Sequence, residues 1–353
     1  MGDIGASELR AKGARFLIVA ASAVVLIAGL RAASTIIVPF LIALFLSLIS
    51  LPLLAWLQRH RVPRWLAVVI TVLVALLALG AIAVLIGGSI REFTAEVPKY
   101  QRRLETTSAS LLALLEERGV RVDRQMLDDL VDPTDAMNLL TTTLRGVAAV
   151  LSNLLLVLLT IVFILSEAVG FPDKLRAAFG PSQSSERFAR VRREVQRYLG
   201  IKTLVSLATG GLVAGAMAVV GVDFPLLWGA LAFLLNYIPA LGSILAAIPP
   251  ALLAAIQLGF GHAAAVIAVF LTVNVVLGSF VEPHLMGRRL GLSTLVVFVS
   301  LVFWGWVWGP VGMLLSVPLT MVLKIMLENT EDLRWVAVLL DAGPHGVPER
   351  ESE

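Results

Sequence analysis

Glu282 stands immediately after 58 consecutive residues, Phe224 to Val281, that contain no Asp, Glu, Lys or Arg. A carboxyl at the edge of so long an apolar run suits proton carriage, because burial penalises the charged form of an acid. An interfacial carboxylate, or one paired with Arg288 or Arg289, is the structural alternative. Asn274 lies eight residues earlier on the same expected helix, a little over two turns away. The two roughly share a face and could line one path. A mid-membrane Asn also joins helices to one another.

The other chemically suggestive stretch is Asn236-Tyr237-Ile238-Pro239-Ala240-Leu241-Gly242-Ser243. Pro239 removes a backbone donor and Gly242 permits a turn, so a helix should fail here. Non-helical backbone at membrane depth is tolerated only where protein buries it or where it lines a watery cavity. Freed carbonyls can coordinate a cation or the hydroxyls of a solute, and Asn236 and Ser243 add neutral hydrogen-bonding groups. The candidate solute- or ion-binding set is therefore Asn236, Tyr237, Pro239, Gly242, Ser243 and Asn274, with Glu282 as the coupling group. Arg288, Arg289 and Pro310 are candidates for gating or an interface. A kink satisfied by neighbouring helices is the structural alternative for the Pro239 segment.

These residues sit in a chain built for lipid. Of 353 residues, 58% are hydrophobic and 15% charged, and the mean hydropathy is +0.90. Soluble domains run at about 45–50% apolar and about 25% charged. Disordered chains, nucleic-acid-binding domains and almost all soluble enzymes are excluded, leaving an integral membrane protein. The net charge of +3 does not point to a polyanionic partner. With no cysteine there is no disulfide framework and no thiol chemistry. His262 and His284 are too isolated for a metal site. The chain has no G-x-x-x-x-G-K-[ST], H-E-x-x-H or G-x-S-x-G motif, so neither ATP hydrolysis nor intramembrane hydrolysis is expected, and no cofactor.

The charge-free runs order the chain. Residues 1–90 hold three transmembrane helices, 146–169 a fourth, and 203–327 a transport core. Between them lie a helical extramembrane segment, 91–145, and a basic amphipathic segment, 170–202; 328–353 form a tail. Pro98 reads as lying near a helix start, Asp223 as the cap of the helix that follows it, and Lys202 as snorkelling to the interface. Gly211 and Gly215 suggest close helix packing or a subunit contact. Within the core, 224–257 and 293–327 are each too long for one straight span and too short for two, at about 1.5 Å per residue across about 30 Å. Each has a breaker near its middle, Pro239 to Ser243 in one and Trp308-Gly309-Pro310 in the other. Trp-Gly pairs at Trp228-Gly229 and Trp308-Gly309 hint at an internal repeat. The expected fold is an all-α polytopic membrane protein of about eight hydrophobic segments, two of them broken or re-entrant hairpins in an inverted repeat. Two tilted, kinked spans are the alternative. Basic residues at Arg10, Lys12, Arg15, Arg59, Arg61 and Arg64 place the N-terminus in the cytoplasm, and 91–145, with two more acids than bases, outside. The hairpin arrangement puts Arg288, Arg289 and the C-terminus inside.

Three blocks carry a family resemblance: Tyr198-Leu199-Gly200-Ile201-Lys202-Thr203-Leu204-Val205-Ser206; Asn236 to Ile244 with Ile248-Pro249-Pro250; and Glu282 to Ser293 continuing through Phe303-Trp304-Gly305-Trp306 and Gly309 to Leu315 up to Val317-Pro318-Leu319. Together they resemble the autoinducer-2 exporter family of bacterial membrane transporters over nearly the whole chain. The resemblance implies a bacterial inner-membrane permease that forms a homo-oligomer. Some members are associated with autoinducer-2 export and others with Na⁺(Li⁺)/H⁺ antiport. The expected function is a secondary transporter that moves a small polar solute by alternating access, with coupling to H⁺ or Na⁺. Its partners are that solute or ion and membrane lipid, with no nucleic acid. A Na⁺(Li⁺)/H⁺ antiporter is the first alternative and a non-transporting membrane scaffold the second.

Overall fold

The computed structural model describes residues 21–117 except Ala23, 154–168, 183–286, 292–328 and 334–341, with isolated positions such as Lys174. The expected break at 120–123, the turn at 132–135, and Arg288 and Arg289 lie outside the described residues. Every regular element among the described residues is helical. With several helices long and apolar enough to cross a bilayer, this is a multi-pass membrane protein.

Residues 24–32 are helical and lead into α1, Ser34–Arg59. α2 spans Arg64–Glu117. Its apolar part continues without interruption into charged turns, so Pro98 lies inside the helix and not near its start. The local turn is buttressed on the surface: Lys99 pairs with Glu96 at 2.7 Å, and Arg102 Nε donates to the Pro98 carbonyl at 3.2 Å. α3, Leu154–Ala168, buries Val157, Ile161 and Leu165 against Ala43, Leu54 and Leu57 of α1 and Ala67 of α2. α4, Gln183–Val220, joins the basic amphipathic stretch and the following span into one helix. A Cβ on Gly211 or Gly215 would meet nothing within 4 Å among the described residues, whereas α4 packs closely at Gly210, where a Cβ would lie 2.7 Å from the Gly229 carbonyl oxygen.

The 224–257 piece is a hairpin of α5, Pro225–Leu235, and α6, Leu241–Leu258. Its mouth is tied shut. Asp223 N–H donates to Gln257 Oε1 at 3.0 Å, and Gln257 Nε2 donates to the Gly221 carbonyl at 3.4 Å. The Asp223 carboxylate accepts from Tyr100 Oη at 2.7 Å, and its carbonyl accepts from Trp228 Nε1 at 2.7 Å. Asp223 is thus not the expected helix cap. Phe224 occupies the N-cap without a side-chain bond, and Asp223 instead holds the hairpin to α2. At about 1.5 Å per residue, α5 descends roughly 16 Å, about half the thickness of a bilayer core.

α7, Phe260–Val273, runs into a π-helical stretch, Asn274–Val281, and then α8, Glu282–Met286. α9, Thr294–Glu328, folds back on itself at Trp308 and Gly309 (φ 63°). Ser300 Oγ donates to the Ser316 carbonyl at 3.3 Å, and Trp304 Nε1 to Thr320 Oγ1 at 3.1 Å, so the two arms lie side by side. α10, Arg334–Leu340, closes this second mouth, where Ser293 N–H donates to the Leu340 carbonyl at 3.2 Å. Lys324 meets Asp341 at 3.4 Å at the same end. The first hairpin opens beside the Val220 end of α4. The second brings Met321 beside Arg197 and Ile201, at the other end. The two hairpins therefore enter from opposite ends of α4.

The Trp-Gly pairs do not occupy equivalent positions in the two hairpins. Trp228-Gly229 lies midway along α5, whereas Trp308-Gly309 is the apex of α9. What the hairpins share is a glycine pressed on the carbonyl of the opposite arm: Gly242 on Leu235, and Gly312 on Trp304.

Candidate functional site

The first apex is not helical. Ala240 takes φ 59° and ψ −46°, and Leu241 N–H reaches back to the Pro239 carbonyl at 2.6 Å, a tight γ-type turn. Positive φ is uncommon for a residue with a Cβ and clusters at functional sites. The apex is anchored to α4 by two side-chain bonds. Asn236 Nδ2 donates to Ser206 Oγ at 2.9 Å, and Tyr237 Oη donates to Thr203 Oγ1 at 2.8 Å.

Beneath this apex lies a cavity of about 430 Å³. Its walls include Asn236, Pro239 and Ser243 from the hairpin and Asn274 and Glu282 from the helix that follows. Five candidates from two distant sequence stretches therefore meet in one space. Tyr237 and Gly242 do not line it. Tyr237 is buried against Phe45 and Phe233, and Gly242 sits under Leu235, so both hold the apex in shape. Pro310 follows the apex of the second hairpin and is not part of the cavity wall.

Lys202 is a wall residue that sequence reasoning assigned to the interface. It is only 5% exposed, and its Nζ donates to both carboxylate oxygens of Glu282, at 2.8 and 2.9 Å. The pair crosses 80 positions in the chain, so nothing local signals it. It leaves the cavity with balanced charge and links α4 to the helix carrying Asn274. That helix is π-wound from Asn274 to Val281, a rare geometry found mostly at functional sites. The winding brings Gly278 under the Asn274 side chain: a Cβ on Gly278 would lie 3.1 Å from Asn274 Oδ1. Asn274 is exposed in mid-helix, and Ser243 and Asn274 also border an apolar cavity of about 330 Å³ between α6 and α7. Amides and hydroxyls placed so can bind a hydroxylated or amide-bearing solute, and freed apex backbone can add to them. Among the described residues no group of three or more His, Cys, Asp or Glu could hold a metal ion.

Known proteins resemble this chain over most of its length. The AI-2E family transporter profile matches residues 18–332. The AI-2 transport protein TqsA of Escherichia coli (strain K12) is 43% identical over 330 residues, 93% of this chain and 96% of its own length. YhhT of the same strain, which carries a provisional transport designation, is 39% identical over 94% of this chain and 95% of its own. A similarly designated protein of Haemophilus influenzae is 38% identical over 92% and 96%. A match across nearly the whole chain, to proteins named for transport and not for catalysis, makes this protein a membrane transporter of the AI-2E family.

Proposed function

We propose that the protein is a secondary transporter that moves a small, polar, net-uncharged solute across the bacterial inner membrane by alternating access. The observation that carries this reading is the cavity at the broken apex, where the amides of Asn236 and Asn274 and the hydroxyl-bearing Ser243 and Ser279 share the wall with an ion pair of zero net charge. A charged solute would upset that balance in a low-dielectric site, whereas a hydroxylated neutral one would not. AI-2, the solute in the name of the relative TqsA, is the solute we assign. The N- and C-termini are cytoplasmic in this reading, which puts the Lys202 end of α4 on the cytoplasmic side. The protein works as a homo-oligomer in lipid.

Glu282 couples flux to H⁺ or Na⁺. Protonating it, or giving it a cation, removes the partner that holds Lys202. α4 and the π-wound helix are then free to part, and the hairpins move with that helix against the α1–α3 group. In proteoliposomes loaded with AI-2, an imposed pH or Na⁺ gradient should accelerate flux. Glu282→Gln should leave flux insensitive to either gradient. AI-2 movement equal to that of protein-free liposomes overturns the assignment of solute. An unchanged gradient response in Glu282→Gln removes Glu282 from coupling, and a cation-dependent proton flux without AI-2 movement favours Na⁺(Li⁺)/H⁺ antiport.

A further inference from the structure

The chain has three tyrosines. Two have bonded hydroxyls: Tyr100 donates to Asp223 at 2.7 Å and Tyr237 to Thr203 at 2.8 Å. The third, Tyr198, is 5% exposed, and its hydroxyl has no hydrogen bond among the described residues. A buried tyrosine hydroxyl ordinarily finds a partner. Tyr198 and Met286 help form the wall of the central cavity.

The same two side chains also line a separate cavity of about 300 Å³. It lies toward the start of α4, with Arg193, Glu194 and Arg197 on its wall and Met321 of the second hairpin facing them. Tyr198 and Met286 thus form the partition between the central cavity and a polar vestibule. Toward the Asp223 end stands an apolar cluster that includes Phe93, Val213, Leu227 and Trp228, beside the Tyr100–Asp223–Gln257 bonds.

We propose that Tyr198 is a solute-contacting residue at the cavity's exit, and that solute passes it, beside Met286, between the central site and the vestibule of Arg193, Glu194 and Arg197. The inference rests on the transport reading above. A phenolic hydroxyl can donate to or accept from a hydroxylated solute, which fits the neutral amides on the facing wall. The guanidinium and carboxylate groups of the vestibule can then exchange those bonds for their own as the solute leaves.

The protein has no cysteine, so single thiols report cleanly. Tyr198→Cys, Arg197→Cys in the vestibule and Gln257→Cys at the far mouth should be treated with a membrane-impermeant thiol reagent, in right-side-out and in inverted vesicles. Tyr198→Cys should label from the face that labels Arg197→Cys and not from the face that labels Gln257→Cys. With AI-2 at ten times its Kd, labelling of Tyr198→Cys should slow by about tenfold. Labelling from the Gln257 face, or no labelling while Arg197→Cys reacts, overturns the route. One-sided labelling that AI-2 does not slow supports the route and tells against AI-2 as the solute. If loss of the ring unfolds the protein, Met286→Cys on the same partition carries the same test. Tyr198→Phe, which keeps the ring, should raise KM for AI-2 with little change in maximal rate; an unchanged KM removes the hydroxyl from solute contact.

Discussion

Lys202→Met should destabilise the protein by about 3–5 kcal/mol, the usual cost of leaving one member of a buried ion pair without its partner. Lys202 is 5% exposed and grips both oxygens of Glu282, so removing the ammonium strips a largely buried carboxylate of its partner. The double variant Lys202→Met/Glu282→Gln should recover most of that loss, because both charges are then gone and the space holds groups of similar size. It should not recover gradient-driven flux, since the group that takes the proton or cation is missing. Thermal unfolding of the four proteins in one detergent measures the coupling between the two positions. A Lys202→Met protein that unfolds at the wild-type temperature would show the pair to be solvated and incidental.

The second large effect comes from glycine. Gly242→Ala and Gly312→Ala should each destabilise the fold by about 3 kcal/mol, the upper part of the range for forcing atoms into filled space. At either position a Cβ would fall within the oxygen of a facing carbonyl, Leu235 for Gly242 and Trp304 for Gly312. Backbone cannot step aside as a flexible side chain can, so the hairpin must open. The same substitution at Gly215, where nothing lies within 4 Å, should be neutral or stabilising by up to about 1 kcal/mol, the gain in helix propensity. Three glycines in apolar helices thus give one substitution with opposite signs. Equal melting temperatures for the three variants would contradict the hairpin packing.

Much of this architecture is legible in the amino acids. A polytopic helical fold follows from hydropathy, and the hairpins follow from length, since 34 apolar residues match no whole number of spans. Pro239 and Trp308-Gly309 mark the two apices because a missing donor and a positive φ are local facts. The meeting of Asn236, Ser243, Asn274 and Glu282 could be suspected from depth and helical phase. What stays hidden is set by distant partners. Lys202 reads as an interfacial cation until Glu282 is seen beside it, 80 residues on. Asp223 reads as a cap because Asp is a favoured N-cap residue and Pro225 suits a first turn, but Tyr100 and Gln257 claim it. Pro98 stays within its helix because the flanking turns outweigh one lost bond. The π-winding after Asn274 has no sequence mark at all.

The central claim is that the broken peptide at 236–240 faces a solute. It is tested most directly at Ser243, which lines the cavity just past the apex. In an otherwise Cys-free protein, Ser243→Cys should react with a small water-soluble thiol reagent at a rate set by an aqueous cavity, and AI-2 should suppress that reaction in a saturable way. A thiol at Ser243 that stays unreactive in the folded transporter, or reacts equally fast with and without AI-2, would contradict it.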